Sequence, residues 1–320
     1  MSERTDLEPH PSLAPSPGGV AFLFPGQGSQ QPGMGTDLLR DAEIAELARR
    51  CSRAAGVDLH RLLTSADEEE LRATVNAQPA LLFVGVALAR LLERAGIRPD
   101  AAAGHSVGEY TALCVAGAIG PEEAVRIVTI RGRAMAEAAP PGTSSMCAVL
   151  GLAPEAVERA LDGVPEAWPA NYNTPTQTVI GGTIRGLELA EERVKRAGAR
   201  RVVPLNVAAA FHTPVVAPAG EALRGALRAV AWRPPRVPVV ANLTAEPYRG
   251  AEEIPEVLER QLSAPVRWAD CVRRLSELGC RHFVEVGPRR ALTGMMRELV
   301  PAAGAHSVAT PEAVSRLCLG

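Results

Sequence analysis

The apolar and polar positions of this chain change pattern along its length. Val20-Ala21-Phe22-Leu23-Phe24 is a short apolar run of β-prone residues and predicts a strand. It ends at Pro25-Gly26-Gln27-Gly28-Ser29-Gln30, whose Gly and Pro content predicts a loop. Helical patterning follows to about Ala95 and includes Gln78 to Ala95. Asp100 to Gly104 predicts a short strand of small residues, and Val107 to Ala116 a helix. Pro121 to about Ala138 predicts another helix. Proline is tolerated at its first position, and Glu122 and Glu123 suit the positive end of its dipole.

From about residue 145 the pattern shortens. Met146–Leu150 predicts a strand, Pro154–Leu161 a helix, and Trp168–Asn173 and Gln177–Gly182 two strands around a Thr-Pro turn. Leu187–Ala197 then predicts a helix and Arg201–Asn206 a strand. This βαββαβ order is that of a ferredoxin-like unit, inserted here into a larger α/β domain. Beyond it, Val237–Asn242 and His282–Val286 predict strands, with a helix from about Val266 to Leu278 between them. The expected organisation is a large α/β-hydrolase-like domain, residues 19–144 and 208–320, interrupted by a ferredoxin-like small domain at 145–207. Residues 1–18 are acidic, rich in proline and without an apolar signal core, which predicts a disordered extension.

Composition narrows the function classes. Lys and Arg number 34 against 36 Asp and Glu, a net charge of −2, so no basic field exists to hold nucleic acid. No apolar run is expected to reach membrane-span length. Cys51, Cys114, Cys147, Cys271, Cys280 and Cys318 form no CxxC pair, which predicts reduced core thiols in a cytoplasmic protein and no metal site.

Gly104-His105-Ser106-Val107-Gly108 fits G-x-S-x-G between a predicted strand and a predicted helix, the context of a nucleophile elbow. Such a turn is too tight for flanking side chains. It lifts the serine hydroxyl to a helix N-terminus, where free N–H groups favour a developing oxyanion. The pentapeptide alone leaves a second reading open, that Ser106 only caps the following helix. A serine nucleophile also needs a base. Of the six histidines, His105 adjoins Ser106 and should point away from its hydroxyl. His10, His60, His282 and His306 lie in ordinary contexts. His212 follows the last strand of the inserted unit, where the chain re-enters the large domain. Spacing alone leaves it open whether that histidine is structural or functional.

Five motifs in order decide between these readings. Phe24-Pro25-Gly26-Gln27-Gly28-Ser29-Gln30, Gly104-His105-Ser106-Val107-Gly108-Glu109-Tyr110, Arg131-Gly132-Arg133-Ala134-Met135, Ala210-Phe211-His212-Thr213-Pro214, and Glu285-Val286-Gly287-Pro288 with Leu292-Thr293-Gly294 run from about Val20 to Val300. Together they resemble the malonyl-CoA:acyl carrier protein transacylases and the acyltransferase domains of polyketide and fatty acid synthases. The resemblance implies Ser106 as the acylated nucleophile and His212 as its general base. It implies a backbone carbonyl at Gln261 to orient that base, and the Gln27 and Val107 N–H groups as oxyanion hole. The implied partners are malonyl-CoA and an acyl carrier protein. The implied cofactor requirement is none, coenzyme A entering as the substrate thioester.

Arg131 and Phe211 bear on substrate. A guanidinium deep in an acyl pocket can hold the distal carboxylate of malonyl through two parallel hydrogen bonds. Acetyl has no such group and would leave a buried cation unpaired. In resembling domains a Phe before the histidine goes with malonyl and a Ser with the α-methylated unit, through the space left beside the α-carbon. Ala209-Ala210 departs from the commonest form of that motif, so other α-substituents stay open. Asn171, Asn173, Gln177 and His105 are further candidates for substrate contact, with polar satisfaction of a turn as the competing reading. Three alternatives to malonyl transfer also stay open: an editing hydrolase, a carrier-to-carrier transferase for another acyl group, and a catalytically silent interaction subunit. Arg131 speaks against the first two, and Ser106 with His212 against the last.

Overall fold

The computed structural model describes residues 18–140 and 142–319. The expected N-terminal extension, apart from Gly18, lies outside them. Among the described residues nine strands form two separate sheets.

The first sheet has five strands, all parallel. The apolar run becomes strand β1, Gly19–Phe24, whose last four residues are buried. Strand β2, Ala101–Gly104, pairs with it in parallel, Phe24 opposite Gly104. Strands β3 to β6 belong to the second sheet. Strand β7, Val239–Val240, pairs with β2, while β8, Cys280–Val286, pairs with β1 and β9, Gly304–Val308, with β8. The order is therefore β7-β2-β1-β8-β9. Parallel strands need both faces covered, and helices supply the cover.

The longest helix is Thr74–Arg94. It corrects the expectation that no apolar run reaches membrane-span length. By length and hydropathy it could cross a membrane, yet 78% of its apolar window is buried inside the protein. A helix that is apolar on every side is what the centre of a large core requires. It packs against Pro121–Ala138, and a Cβ at Gly132 would lie only 2.9 Å from the Thr74 carbonyl oxygen. Gly132 thus lets the two backbones close, which seats its neighbour Arg131 against the core helix.

The second sheet is antiparallel. It comprises β3, Ser144–Leu150, β4, Ala167–Thr174, β5, Gln177–Thr183, and β6, Arg201–Pro204, in the order β4-β5-β3-β6. Helices Pro154–Leu161 and Ile184–Arg196 cover one face. Side chains alternate accordingly. Cys147 and Val149 point into a small core with Val157, Leu161, Leu187 and Val194, whereas Met146 and Ala148 join the main core. Two backbone bonds tie this sheet to the rest of the protein: Tyr172 N–H to the Val266 carbonyl at 2.9 Å, and Val266 N–H to the Ala170 carbonyl at 2.9 Å.

Two strands are shorter than their sequence suggested. Arg201–Asn206 ends at Pro204, and Val237–Asn242 shrinks to Val239–Val240. Prolines lack the N–H a ladder needs, and both Pro204 and Pro238 sit at these ends.

Candidate active site

The turn after β2 is built by two glycines. A Cβ on Gly104 would fall 1.9 Å from the Gly108 carbonyl, and one on Gly108 would fall 2.2 Å from the Phe24 carbonyl oxygen. Neither position accepts a side chain. Between them Ser106 is forced to φ +54°. His212 also adopts a left-handed conformation, φ +60°. Such non-glycine positions cost about 1–3 kcal/mol each and persist only where surrounding contacts impose them.

Those contacts bring the two side chains together. Ser106 Oγ lies 2.7 Å from His212 Nε2, and His212 Nδ1 lies 2.9 Å from the Gln261 carbonyl oxygen. A carbonyl only accepts, so Nδ1 carries the proton and Nε2 is left to accept from the serine hydroxyl. Gln261 closes the helix Ile254–Gln261 and is 1% exposed.

Arg131 completes the group. Its Nη2 donates to Ser106 Oγ at 3.1 Å and to Gln261 Oε1 at 3.1 Å, and its Nη1 donates to Gln78 Oε1 at 2.8 Å. The residue is 1% exposed, its guanidinium carbon lies 5.5 Å from the centre of the Tyr110 ring, and its Nε has no hydrogen-bond partner among the described residues. Arg133, two positions later, is exposed. No carboxylate forms an ion pair with Arg131 among the described residues. The serine hydroxyl therefore sits beside a buried cation whose hydrogen bonds go to neutral oxygens.

The other sequence candidates surround this centre. Phe211 precedes His212 and is 6% exposed. His105 turns away from the hydroxyl, as its place in the turn suggested. Its Nε2 lies 3.1 Å from Asn173 Oδ1 and 3.3 Å from Asn171 Nδ2, and its ring rests on Trp268. Asn173 Nδ2 in turn donates to Gln177 Oε1 at 2.9 Å. These four residues form one polar chain linking the antiparallel sheet to the Ser106 turn. Gln27 fixes its loop by donating from Nε2 to Thr74 Oγ1 at 3.1 Å. The Ser106 N–H is taken by Asn242 Oδ1 at 2.7 Å, while the Gln27 and Val107 N–H groups have no backbone acceptor among the described residues.

Sequence reasoning did not single out Gln78, Asn242 or Tyr248. Asn242 also donates from Nδ2 to the Gly104 carbonyl at 2.7 Å, so one side chain braces both sides of the turn. Gln78 carried a legible signal, a polar residue within an apolar helix. The Glu285 signature has a local explanation. Its carboxylate accepts from the N–H groups of Ala291, Leu292 and Thr293 at 2.7–2.9 Å, capping helix Thr293–Leu299. A Cβ on Gly287 would meet Pro25 at 2.4 Å, so that signature also packs on the Gln27 loop.

Burial lowers the His212 pKa to about 3, with the Arg131 charge acting in the same direction. Burial lowers His105 to about 4. For His212 the consequence for stability has a definite sign. Above the ordinary value of 6.5 the imidazole is neutral folded or unfolded and contributes no slope. Below it the unfolded chain binds a proton that the folded chain refuses, so stability falls as pH drops, by ~1.4 kcal/mol per unit. Between pH 7.5 and pH 5, denaturant unfolding of the wild type should lose roughly 2 kcal/mol more than that of His212→Asn. Equal losses in both proteins would show that His212 is not held neutral.

The acyl transferase domain family model matches residues 21–312. The chain is 40% identical over 300 residues to the malonyl CoA-acyl carrier protein transacylase of Bacillus subtilis, covering 92% of this chain and 95% of that protein. The structure of the malonyl CoA-acyl carrier protein transacylase of Coxiella burnetii superposes with a TM-score of 0.90 at 34% identity, covering 95% of this chain and 98% of that one. A malonyl-transacylase solved in complex with its type II PKS acyl-carrier protein superposes with a TM-score of 0.90 at 37% identity, covering 94% and 99%. With a family model matched over most of its length and relatives this similar, the chain belongs to the acyl transferase domain family.

Proposed function

We propose that the protein moves a malonyl group from coenzyme A to the phosphopantetheine thiol of an acyl carrier protein, through an ester on Ser106. The observation that carries this reading is the buried Arg131 guanidinium 3.1 Å from the Ser106 hydroxyl. A cation so placed suits an acyl group that ends in a carboxylate. It penalises neutral acyl groups, which would leave it without a charged partner.

The chemistry has two halves. His212 Nε2 takes the Ser106 proton as Oγ attacks the thioester carbonyl, the carbon–sulfur bond breaks, and the coenzyme A thiolate leaves with that proton. The carrier thiol then gives its proton to His212, attacks the Ser106 ester and returns the serine hydroxyl. The Gln261 carbonyl keeps the imidazole in the required tautomer. Asn242 already occupies the Ser106 N–H, so the oxyanion falls to the N–H groups of Gln27 and Val107. Preorganised donors of this kind contribute about 2.7–4 kcal/mol each.

Phe211 limits the room beside the acyl α-carbon. His105, Asn173 and Gln177 line the side from which the pantetheine arm reaches Ser106. We read residues 145–207 as a ferredoxin-like unit set into an α/β-hydrolase-like domain of residues 19–144 and 208–320, the reaction taking place between them. Coenzyme A enters as substrate, and the reaction needs no further cofactor.

The direct test is intact mass after mixing the protein with separate acyl-CoAs: malonyl, methylmalonyl, acetyl and a long-chain acyl. Malonyl should add one acyl group to nearly every molecule within seconds, ahead of the other three. Preferential labelling by acetyl or by the long chain would refute malonyl transfer.

A further inference from the structure

Beneath the Ser106 turn lies a buried carboxylate that the two half-reactions do not use. Glu109, in the first turn of helix Gly108–Val115, is fully buried. Tyr248 donates its hydroxyl to Oε1 at 2.5 Å. Gln261 Nε2 donates to Oε2 at 2.7 Å, and the Asn242 N–H donates to the same oxygen at 3.1 Å. Amide N–H groups can only donate, so Oε2 has to accept.

Two of these partners reach the reacting groups. The Gln261 side chain can sit in two orientations related by exchange of its oxygen and nitrogen. Glu109 takes the nitrogen, which leaves Oε1 for Arg131 Nη2. The same Nε2 also donates to the Ser106 carbonyl at 3.0 Å, and the Gln261 backbone carbonyl holds His212. Asn242 braces the Ser106 N–H and the Gly104 carbonyl. A single carboxylate thus anchors the residues that set the positions of nucleophile, base and substrate cation.

We propose that Glu109 is a positioning residue of the transfer: ionised, it holds Gln261 and Asn242 so that Ser106, His212 and Arg131 stay in register, and on taking up a proton it loosens them. The proposal rests on the roles assigned above to Ser106 and His212. A proton on Oε1 would have to point at the Tyr248 oxygen and reverse that hydrogen bond. It would also remove a negative charge that favours the charged form of Arg131.

The groups facing Glu109 are Arg131 from helix Pro121–Ala138, Tyr110 from its own helix, Tyr248 from the loop after β7, and Cys271 from helix Trp268–Glu277. Burial pushes Tyr110, Tyr248 and Cys271 upward, so they stay neutral near pH 7. His212, lowered to about 3, is neutral there too. Burial pushes Glu109 up to about 7, against the pull of Tyr248, Gln261, Asn242 and Arg131. Within this group Glu109 alone changes charge around neutral pH.

The test is single-turnover acylation by malonyl-CoA, followed by intact mass from about pH 5.5 to 9. Wild-type acylation should fall as the pH drops through about 7. Glu109→Gln should acylate roughly 10²-fold more slowly, as a small misplacement of reacting groups costs, and should lose that acidic limb. Tyr248→Phe keeps the carboxylate but removes a donor to its ionised form, so its limb should move to higher pH. A purely structural role would lower the active fraction without moving the limb. A limb that survives unshifted in Glu109→Gln would overturn the proposal. If Glu109→Gln does not fold, an unshifted limb in Tyr248→Phe would overturn it equally. A wild type that takes no malonyl on Ser106 would overturn the underlying reading as well, whereas normal wild-type acylation beside an unaffected Glu109→Gln would overturn only the role of Glu109.

Discussion

Ser106→Ala is expected to take up no malonyl from malonyl-CoA and to transfer none to an acyl carrier protein. Ser106 Oγ is the hydroxyl that lies 2.7 Å from His212 Nε2, with the Gln261 carbonyl fixing the other ring nitrogen. Removing Oγ leaves the base without the proton it is placed to take. His212→Ala keeps the hydroxyl and removes the base. It should slow acylation by ~10²–10⁴-fold, the usual span for general-base assistance. Both substitutions keep a Cβ, so the backbone strain at φ +54° and +60° is unchanged and only side-chain contacts within the site are lost. Thermal unfolding should therefore stay near that of the parent, which separates loss of chemistry from loss of fold. Intact mass and a carrier-transfer assay read the result. An adduct that persists in Ser106→Ala would place the nucleophile elsewhere. Near-normal acylation in His212→Ala would do the same for the base.

The parts of the fold that were legible in the sequence are those governed by local chemistry. Helix Pro121–Ala138 matches its expected span because Pro121 and two glutamates mark its start. Strand β1 begins one residue before the apolar run that announced it. Strand β9, by contrast, reads Gly-Ala-His-Ser-Val and shows little β-propensity of its own. It exists through parallel pairing with β8. Helices Ala217–Arg228 and Ile254–Gln261 are not among the elements that the sequence pattern predicts, although the family resemblance points to Gln261 itself.

The candidate site divides along the same line. Gly104 and Gly108 could be read directly, because a tight turn excludes a Cβ whatever surrounds it. The approach of Ser106 to His212 could not, since 106 residues separate them and folding alone closes the gap. Glu109 stood in plain view within the second motif, yet nothing local marks it as buried. Its partners Tyr248, Gln261 and Asn242 come from segments 133 to 152 residues away. A network of that reach is a product of tertiary structure, and only the order of the family motifs hinted at it.

Arg131→Ala is expected to change substrate preference as well as rate. Arg131 directs its hydrogen bonds to Gln78, Gln261 and Ser106 Oγ. A malonyl carboxylate offers charged oxygens in place of neutral ones, each such bond contributing about 1.5–3 kcal/mol. Acetyl offers nothing to the guanidinium and must share a buried pocket with it. Deleting the guanidinium removes two bonds from malonyl and a penalty from acetyl. At ~1.4 kcal/mol per factor of ten, the malonyl-to-acetyl ratio of kcat/KM should fall by at least about 100-fold. The substitution also strips partners from Gln78 and Gln261, and that damage should slow both substrates alike. The ratio therefore isolates recognition of the carboxylate from general disturbance of the site. Arg131→Lys should fall between, because it keeps the charge but cannot make two parallel bonds. Both acyl-CoAs should be measured on all three proteins with an acyl carrier protein as acceptor. If the ratio is unchanged in Arg131→Ala, then Arg131 does not hold the carboxylate. The buried cation would then serve Ser106 and Gln261 alone, and transfer of a neutral acyl group would become the better account of this site.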